Sequence, residues 1–128
     1  MGVKITHIAV YATNLEKTRN YYLSFFGGCS NEIYHNADGF SSYFITFDTE
    51  VRLEIMNHKQ LEQREALDKV NGWNHVAFSV GSREKVEELT NRIVAAGYEL
   101  YSPARTTGDG YFESCVADPD GNRVEITL

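Results

Sequence analysis

Cysteine is scarce in this sequence. Its two copies, Cys29 and Cys115, lie far apart and form no CxxC motif. Without closely spaced pairs, the cysteines give no sign of a metal-binding or redox motif. We expect two reduced, partly buried thiols and no structural disulfide.

Long apolar runs and excess positive charge are also missing. No apolar run reaches the roughly 18–20 residues that a membrane-spanning helix needs. The N-terminal stretch MGVKITHIAV is too short and too polar for a signal peptide. The formal net charge is -6, which argues against nucleic acid as a partner because phosphate contacts need clustered Lys and Arg. We therefore expect a cytoplasmic protein with no membrane and no nucleic-acid partner.

An internal repeat organises the 128 residues, which fit one compact domain or two small halves that share a core. Residues 5–28 and 73–97 each contain a His, then alternating residues, a polar turn, and a helical pattern that ends in Gly. The ends of the halves match as well, because VRLEIM at 51–56 resembles NRVEIT at 122–127. The repeat is therefore nearly in register over a whole half.

The periodicity within each half predicts an α+β fold. A strand, a helix and three further strands give two tandem βαβββ modules. Thr13 and Glu16 have the spacing of a capping box at the start of the first helix, and Ser82 caps the second. We expect one domain over residues 1–128. Module one spans about 3–57, and its later strands are expected at about 31–36, 40–48 and 51–57. A linker follows at about 58–71. Module two spans about 72–128, and its later strands are expected at about 98–102, 110–118 and 122–127.

Four polar residues fall at equivalent positions of the two halves: His7, Glu54, His75 and Glu125. Strand alternation places each of them on the face opposite the large apolar residues. Taken singly, a strand His is more often structural, and an alternating Glu is usually a solvent-facing residue. Taken together at repeated positions, they form a set. If each half curls its sheet, the pseudo-symmetry brings the four side chains together.

Two imidazoles and two carboxylates suit a divalent transition metal. With four protein ligands, an octahedral metal keeps two positions for water or substrate, as a catalytic metal needs. The composition of the set therefore favours a metalloenzyme over a purely structural role.

The motifs that surround these residues resemble the vicinal oxygen chelate superfamily, which includes glyoxalase I, bleomycin-resistance proteins and extradiol dioxygenases. They are THIAVYATNLEKTRNYY, VRLEIM, NHVAFSV and DPDGNRVEI, and the resemblance covers nearly the whole chain. It implies two βαβββ modules that form a curved mixed sheet around a metal, here Ni, Zn, Mn, Fe or Co. The implied metal ligands are His7, Glu54, His75 and Glu125.

Glu54 makes the chain look most like the glyoxalase I (lactoylglutathione lyase) members, because related epimerases typically carry Gln at this position. The implied reaction isomerises the hemithioacetal of methylglyoxal and a thiol, with Glu125 or Glu54 as the catalytic base. Glyoxalase I usually has an Arg four residues after the first His, where this chain has Tyr11. The thiol therefore stays open between glutathione, another thiol and none.

Three alternatives remain at this point. The chain could be an epimerase, a thiol transferase acting on an antibiotic, or a non-catalytic protein that binds a small molecule. By resemblance we expect a small-molecule substrate and a homodimer. The sequence does not decide whether the metal site lies within one chain or is shared by two.

Overall fold

The repeat in the sequence corresponds to two units of the structure, Met1–Arg64 and Glu65–Leu128, which we call unit one and unit two. The computed structural model describes residues 2–65 and 69–128. Residues 66–68 of the predicted linker lie outside the described residues. That the two units form a single domain stays a prediction.

Unit one contains one helix and a mixed sheet. Along the chain its elements are β1 (His7–Tyr11), α1 (Leu15–Phe26), β2 (Cys29–Ser30), β3 (Tyr34–His35), β4 (Phe40–Phe47) and β5 (Thr49–His58). The strand order is β1-β5-β4-β2, and β3 also pairs with β4. The pairing of β1 with β5 is parallel, whereas the other pairs are antiparallel.

Unit two repeats this plan with fewer strands. Its elements are β6 (His75–Ser79), α2 (Arg83–Ala95), β7 (Leu100–Thr106), β8 (Phe112–Ala117) and β9 (Arg123–Thr127). The strand order is β6-β9-β8-β7. Again the first and last strands of the unit pair in parallel, and the other pairs are antiparallel. The predicted α+β class is confirmed, with one mixed sheet in each unit.

The second strand of module one differs from its prediction. Instead of one strand at 31–36, the structure has the two short strands β2 and β3. Between them, the backbone N–H of Asn31 donates to the carbonyl of Phe44, and the side-chain Oδ1 of Asn31 accepts from the N–H of Phe44 at 2.8 Å. The Oδ1 of Asn31 thus accepts a hydrogen bond that a backbone carbonyl accepts in a regular strand ladder. Asn side chains commonly compete with backbone groups in this way.

The predicted cap of α1 is wrong by one residue. Asn14 is the N-cap: its backbone is extended, and its side chain accepts from the N–H of Lys17 at 3.0 Å. Thr13 instead donates to Oε1 of Gln63, and Glu16 accepts a hydrogen bond from the hydroxyl of a tyrosine on β4. Asn caps a helix at least as well as Thr, so the backbone geometry decides between two adjacent candidates.

The other predicted helix boundaries are confirmed. Ser82 caps α2 by accepting from the N–H of Lys85 at 3.2 Å. Helix α1 ends at Gly27, whose φ of 69° is the left-handed conformation that glycine adopts without strain. In the described part of the chain, no helix is long and apolar enough to cross a membrane.

Each unit buries the apolar side of its last strand against its own helix. In unit one, Leu53 and Ile55 of β5 are buried, and Tyr22 of α1 is buried as well. In unit two, Val124 and Ile126 of β9 are buried. Each such side chain contributes about 1.5–3 kcal/mol when fully buried. This burial fixes which face of the strand points outward, and it leaves the intervening glutamates on the non-core face.

Because Asn14 caps α1, we expect the substitution Asn14→Ala to lower the free energy of unfolding by about 0.5–2 kcal/mol. Thr13→Ala is the matched control, since it removes an exposed side-chain hydrogen bond to Gln63 and should cost less than about 0.5 kcal/mol. Urea denaturation followed by circular dichroism measures both. A larger loss for the Thr13 variant than for the Asn14 variant would contradict the assignment of the cap.

Candidate functional site

His7 and Glu54 of unit one form the first pair of candidate metal ligands, which we call the first donor pair; His75 and Glu125 of unit two form the second. Strand β1 pairs in parallel with β5, so that Ala9 lies opposite Glu54 and His7 lies opposite Arg52. Glu54 and His7 therefore sit diagonally on the same face, where the small Ala9 leaves room between the two strands. His7 Nε2 is 3.8 Å from Oε1 of Glu54, and the two side chains are 40% and 15% exposed.

The second donor pair has the same construction in unit two. Ala77 lies opposite Glu125 in the parallel pairing of β6 with β9. His75 Nε2 is 3.3 Å from Oε2 of Glu125, with side-chain exposures of 39% and 22%. Each histidine is thus accessible, while each carboxylate is mostly covered. The repeat seen in the sequence is a repeat of local geometry.

Both imidazoles are held by the residue that precedes them. Nδ1 of His7 is 2.9 Å from Oγ1 of Thr6, and Nδ1 of His75 is 2.7 Å from Oδ1 of Asn74. An amide oxygen only accepts, so this contact assigns the ring proton of His75 to Nδ1. In both units Nε2 is the ring nitrogen that faces the carboxylate. A hydrogen bond at the remote ring nitrogen is the usual way in which proteins orient a histidine ligand.

The donor set fits a divalent transition metal. Two ligand atoms at about 2.0–2.2 Å from one ion lie roughly 3.0–3.4 Å apart in octahedral or tetrahedral geometry. The observed separations of 3.3 Å and 3.8 Å are close to that range. Imidazole nitrogen and carboxylate oxygen are also the donors that such ions accept. Each pair can therefore supply two adjacent ligands.

The structure brings His7 together with Glu54 and His75 together with Glu125. Among residues 2–65 and 69–128, no group of three or more His, Cys, Asp or Glu side chains is placed to hold a metal ion. That the two pairs join around one metal stays a prediction.

The surroundings of the two pairs differ. In unit one, Phe44 lies across from Glu54 on β4 and contacts His7 edge to face, with ring centroids 5.4 Å apart. The guanidinium of Arg52 stacks over the same Phe44 ring at 4.4 Å. An aromatic wall therefore borders the first pair.

In unit two, Cys115 lies across from Glu125, at the position that Phe44 holds in unit one. Both cysteines are free, as expected; Cys29 is exposed and Cys115 is buried. Burial raises the pKa of the Cys115 thiol, against the opposing effect of the neighbouring Arg123 guanidinium. The smaller side chain leaves space, and unit two contains a pocket of about 170 Å³ beside the second donor pair.

Glu113 is a pocket residue that sequence analysis missed. It lies on β8, two residues before Cys115, and therefore on the same face of the sheet. Desolvation and a hydrogen bond with Glu125 raise its pKa. The alternation of Glu113 and Cys115 along β8 was the available signal, but the repeat did not reveal it because the corresponding residue of unit one is Ser42.

Comparisons with known proteins agree with this architecture. The model of the Glyoxalase/Bleomycin resistance protein/Dioxygenase superfamily matches residues 4–126. The uncharacterized protein YqjT of Bacillus subtilis (strain 168) is 30% identical over 126 residues, which are 94% of this chain and 94% of that protein.

Two solved structures have a similar fold. A glyoxalase family protein from Enterococcus faecalis is 25% identical, with a TM-score of 0.79 over 98% of this chain and 97% of that chain. Glyoxalase I from Zea mays is 19% identical, with a TM-score of 0.79 over 97% of this chain, which spans 44% of the maize chain. With a family model that matches almost its full length, this chain belongs to the glyoxalase/bleomycin resistance protein/dioxygenase superfamily.

Proposed function

We propose that the protein is a metal-dependent lyase of glyoxalase type. Its substrate would be a small molecule with vicinal oxygens, such as the hemithioacetal of methylglyoxal and a thiol. The observation that carries the proposal is the pair of equivalent His–Glu arrangements, in which each imidazole Nε2 faces a carboxylate at 3.3 Å or 3.8 Å. The similarity in fold to glyoxalase I from Zea mays supports the same reaction class.

In this proposal the metal ligands are His7, Glu54, His75 and Glu125. A bound Ni, Zn, Mn, Fe or Co ion would stabilise negative charge on the substrate oxygens as the reaction proceeds, an effect of several kcal/mol. Thr6 and Asn74 fix the histidine rings, so the ligands are oriented before an ion binds. We expect this site either within one chain or across the two chains of a homodimer.

The proton transfer needs a carboxylate beside the reacting carbon, and we assign it to Glu125. Glu125 lines the pocket of unit two, whereas Glu54 faces the Phe44 wall. A carboxylate oxygen of Glu125 would take the proton from the carbon that carries sulfur and return it to the adjacent carbon. A positioned general base of this kind contributes about 10²- to 10⁴-fold to the rate. Glu54 then remains a ligand.

Removing either histidine tests the metal site. We expect His7→Ala and His75→Ala each to weaken metal binding at least roughly 100-fold, because each removes a direct ligand. His58→Ala is the matched control, since its ring Nδ1 accepts from the N–H of Gln60 and has no counterpart in the repeat. Metal content after dialysis and calorimetric titration with Ni²⁺ or Zn²⁺ give the comparison. Unchanged affinity in either ligand variant, with the control equal to the wild type, would exclude that histidine from the site.

The base assignment is tested with Glu125→Gln and Glu54→Gln as a symmetric pair. We expect Glu125→Gln to lower kcat about 10²- to 10⁴-fold while metal is still bound, since the amide cannot accept the proton. Glu54→Gln keeps the base and should lower kcat less.

Thioester formation from methylglyoxal with several thiols, glutathione included, follows the reaction by ultraviolet absorbance. Retained turnover in metal-loaded Glu125→Gln would contradict the assignment of Glu125 as the base. If the metal-loaded wild type forms no thioester with any of the thiols tested, the proposed reaction is wrong.

A further inference from the structure

The pocket of unit two contains a cation that the proposed reaction does not use. Arg105 lies near the end of β7, pairs across the sheet with Glu113 of β8, and lines the pocket together with Glu125. Every residue that lines this pocket belongs to unit two. Arg105 itself is exposed, so a molecule that enters from solvent can reach its guanidinium.

The other charged groups of this region are already engaged. Arg123 stacks over the ring of Tyr101 at 4.2 Å and also interacts with the Cys115 thiol. Arg83 stacks over the ring of Phe112 at 4.1 Å and donates to a threonine hydroxyl of β7. Arg123 of β9 and Arg83 of α2 are thus held by aromatic and polar contacts.

Glu113 is the natural partner for Arg105, because oppositely charged residues directly across two strands attract each other. Among the described residues, however, no ion pair joins these two side chains. In the part of the chain that the structure describes, the side chain of Arg105 has no hydrogen bond, ion pair or ring contact. An exposed guanidinium that lines a pocket without a protein partner is available for an outside anion.

We propose that Arg105 determines substrate specificity by pairing with a carboxylate group of the substrate. The inference deepens the proposed lyase function, on which it rests for the identity of the site. A guanidinium fork matches a carboxylate in two parallel hydrogen bonds. The chain carries a net charge of -6, which disfavours anions at long range, so an anionic substrate needs such a local cation.

A carboxylate fits this pocket better than a phosphate does. Two acidic residues, Glu113 and Glu125, already line it, and a doubly charged group is repelled more strongly by them than a singly charged one. Arg105 and the proposed base Glu125 line the same pocket of about 170 Å³, so a group that pairs with Arg105 lies a short distance from the reacting carbon. The expected substrate is therefore a 2-oxoaldehyde adduct of a thiol that carries a carboxylate close to sulfur.

A binding experiment tests Arg105 without turnover. Two inert probes of similar size differ in one charge: (methylthio)acetate, a carboxylate that we write as methylthioacetate, and the neutral alcohol 2-(methylthio)ethanol. Their dissociation constants are measured by NMR titration of the metal-loaded protein. We expect the wild type to bind methylthioacetate roughly 10- to 100-fold more tightly, as a charge-assisted pair predicts. Arg105→Gln should abolish this preference, and Arg105→Lys should keep part of it.

Arg92→Gln is the matched control, because it removes the same charge from an exposed position of α2 outside the pocket. It should bind both probes as the wild type does. A preference that persists in Arg105→Gln, or its absence in the wild type, would overturn the proposal. Inorganic phosphate serves as a third probe, and tighter binding of phosphate than of methylthioacetate would overturn the assignment to a carboxylate.

Kinetics add a second readout. With mercaptoacetate as the thiol, Arg105→Gln should raise KM by a similar roughly 10- to 100-fold factor and leave kcat nearly unchanged. With mercaptoethanol, both constants should stay near the wild-type values. If the probes bind as expected but no thiol supports turnover, the carboxylate site stands and the lyase function fails. The two proposals can therefore fail separately.

Discussion

The parallel pairing of the first and last strands is the constraint on which both donor pairs depend. In each unit this pairing sets an alanine opposite the glutamate and thereby places the histidine diagonally beside it. Side chains alternate between faces, so a slip of one residue would turn Glu54 or Glu125 toward the core and one of its apolar neighbours outward. The buried residues of β5 and β9 prevent that slip. Core packing and the geometry of the donors are therefore one and the same constraint.

The two units are alike in their His–Glu pairs and differ in the side chains that border those pairs. Both histidines are oriented by the preceding residue, and both carboxylates face an imidazole Nε2. Beyond this, Phe44 covers the region next to Glu54, whereas Cys115 at the corresponding position leaves a pocket next to Glu125. The two His–Glu pairs are thus alike in geometry, while the side chain across from the glutamate differs between the units.

Much of this was predictable from periodicity. The alternation around Glu54 and Glu125, the Ser82 cap and the βαβββ order of module two all follow from local pattern, and the structure agrees with them. Local pattern failed where two residues of equal propensity compete, as with Thr13 and Asn14. It also failed where a side chain replaces a backbone partner, as Asn31 does.

The pocket residues could not be predicted for a different reason. Arg105 and Glu113 become neighbours through the pairing of β7 with β8, and the register of that pair shifts twice before it reaches them. A bulge moves every later residue by one position, so sequence spacing does not give the partner. Whether Glu113 interacts with Arg105 or with Glu125 depends on three strands at once. Only the assembled sheet contains that information.

The strand order also has a consequence for the folding pathway. The β8–β9 hairpin is local, and the buried carboxylate of Asp118 ties its turn by accepting from the backbone N–H groups of Asp120 and Asn122. The parallel pairing of β6 with β9 must instead close a loop that contains the helix and two other strands, at a larger entropic cost. Contacts with low sequence separation form first as a rule. In unit two, His75 should therefore reach Glu125 only after the hairpin that carries Glu125 has formed.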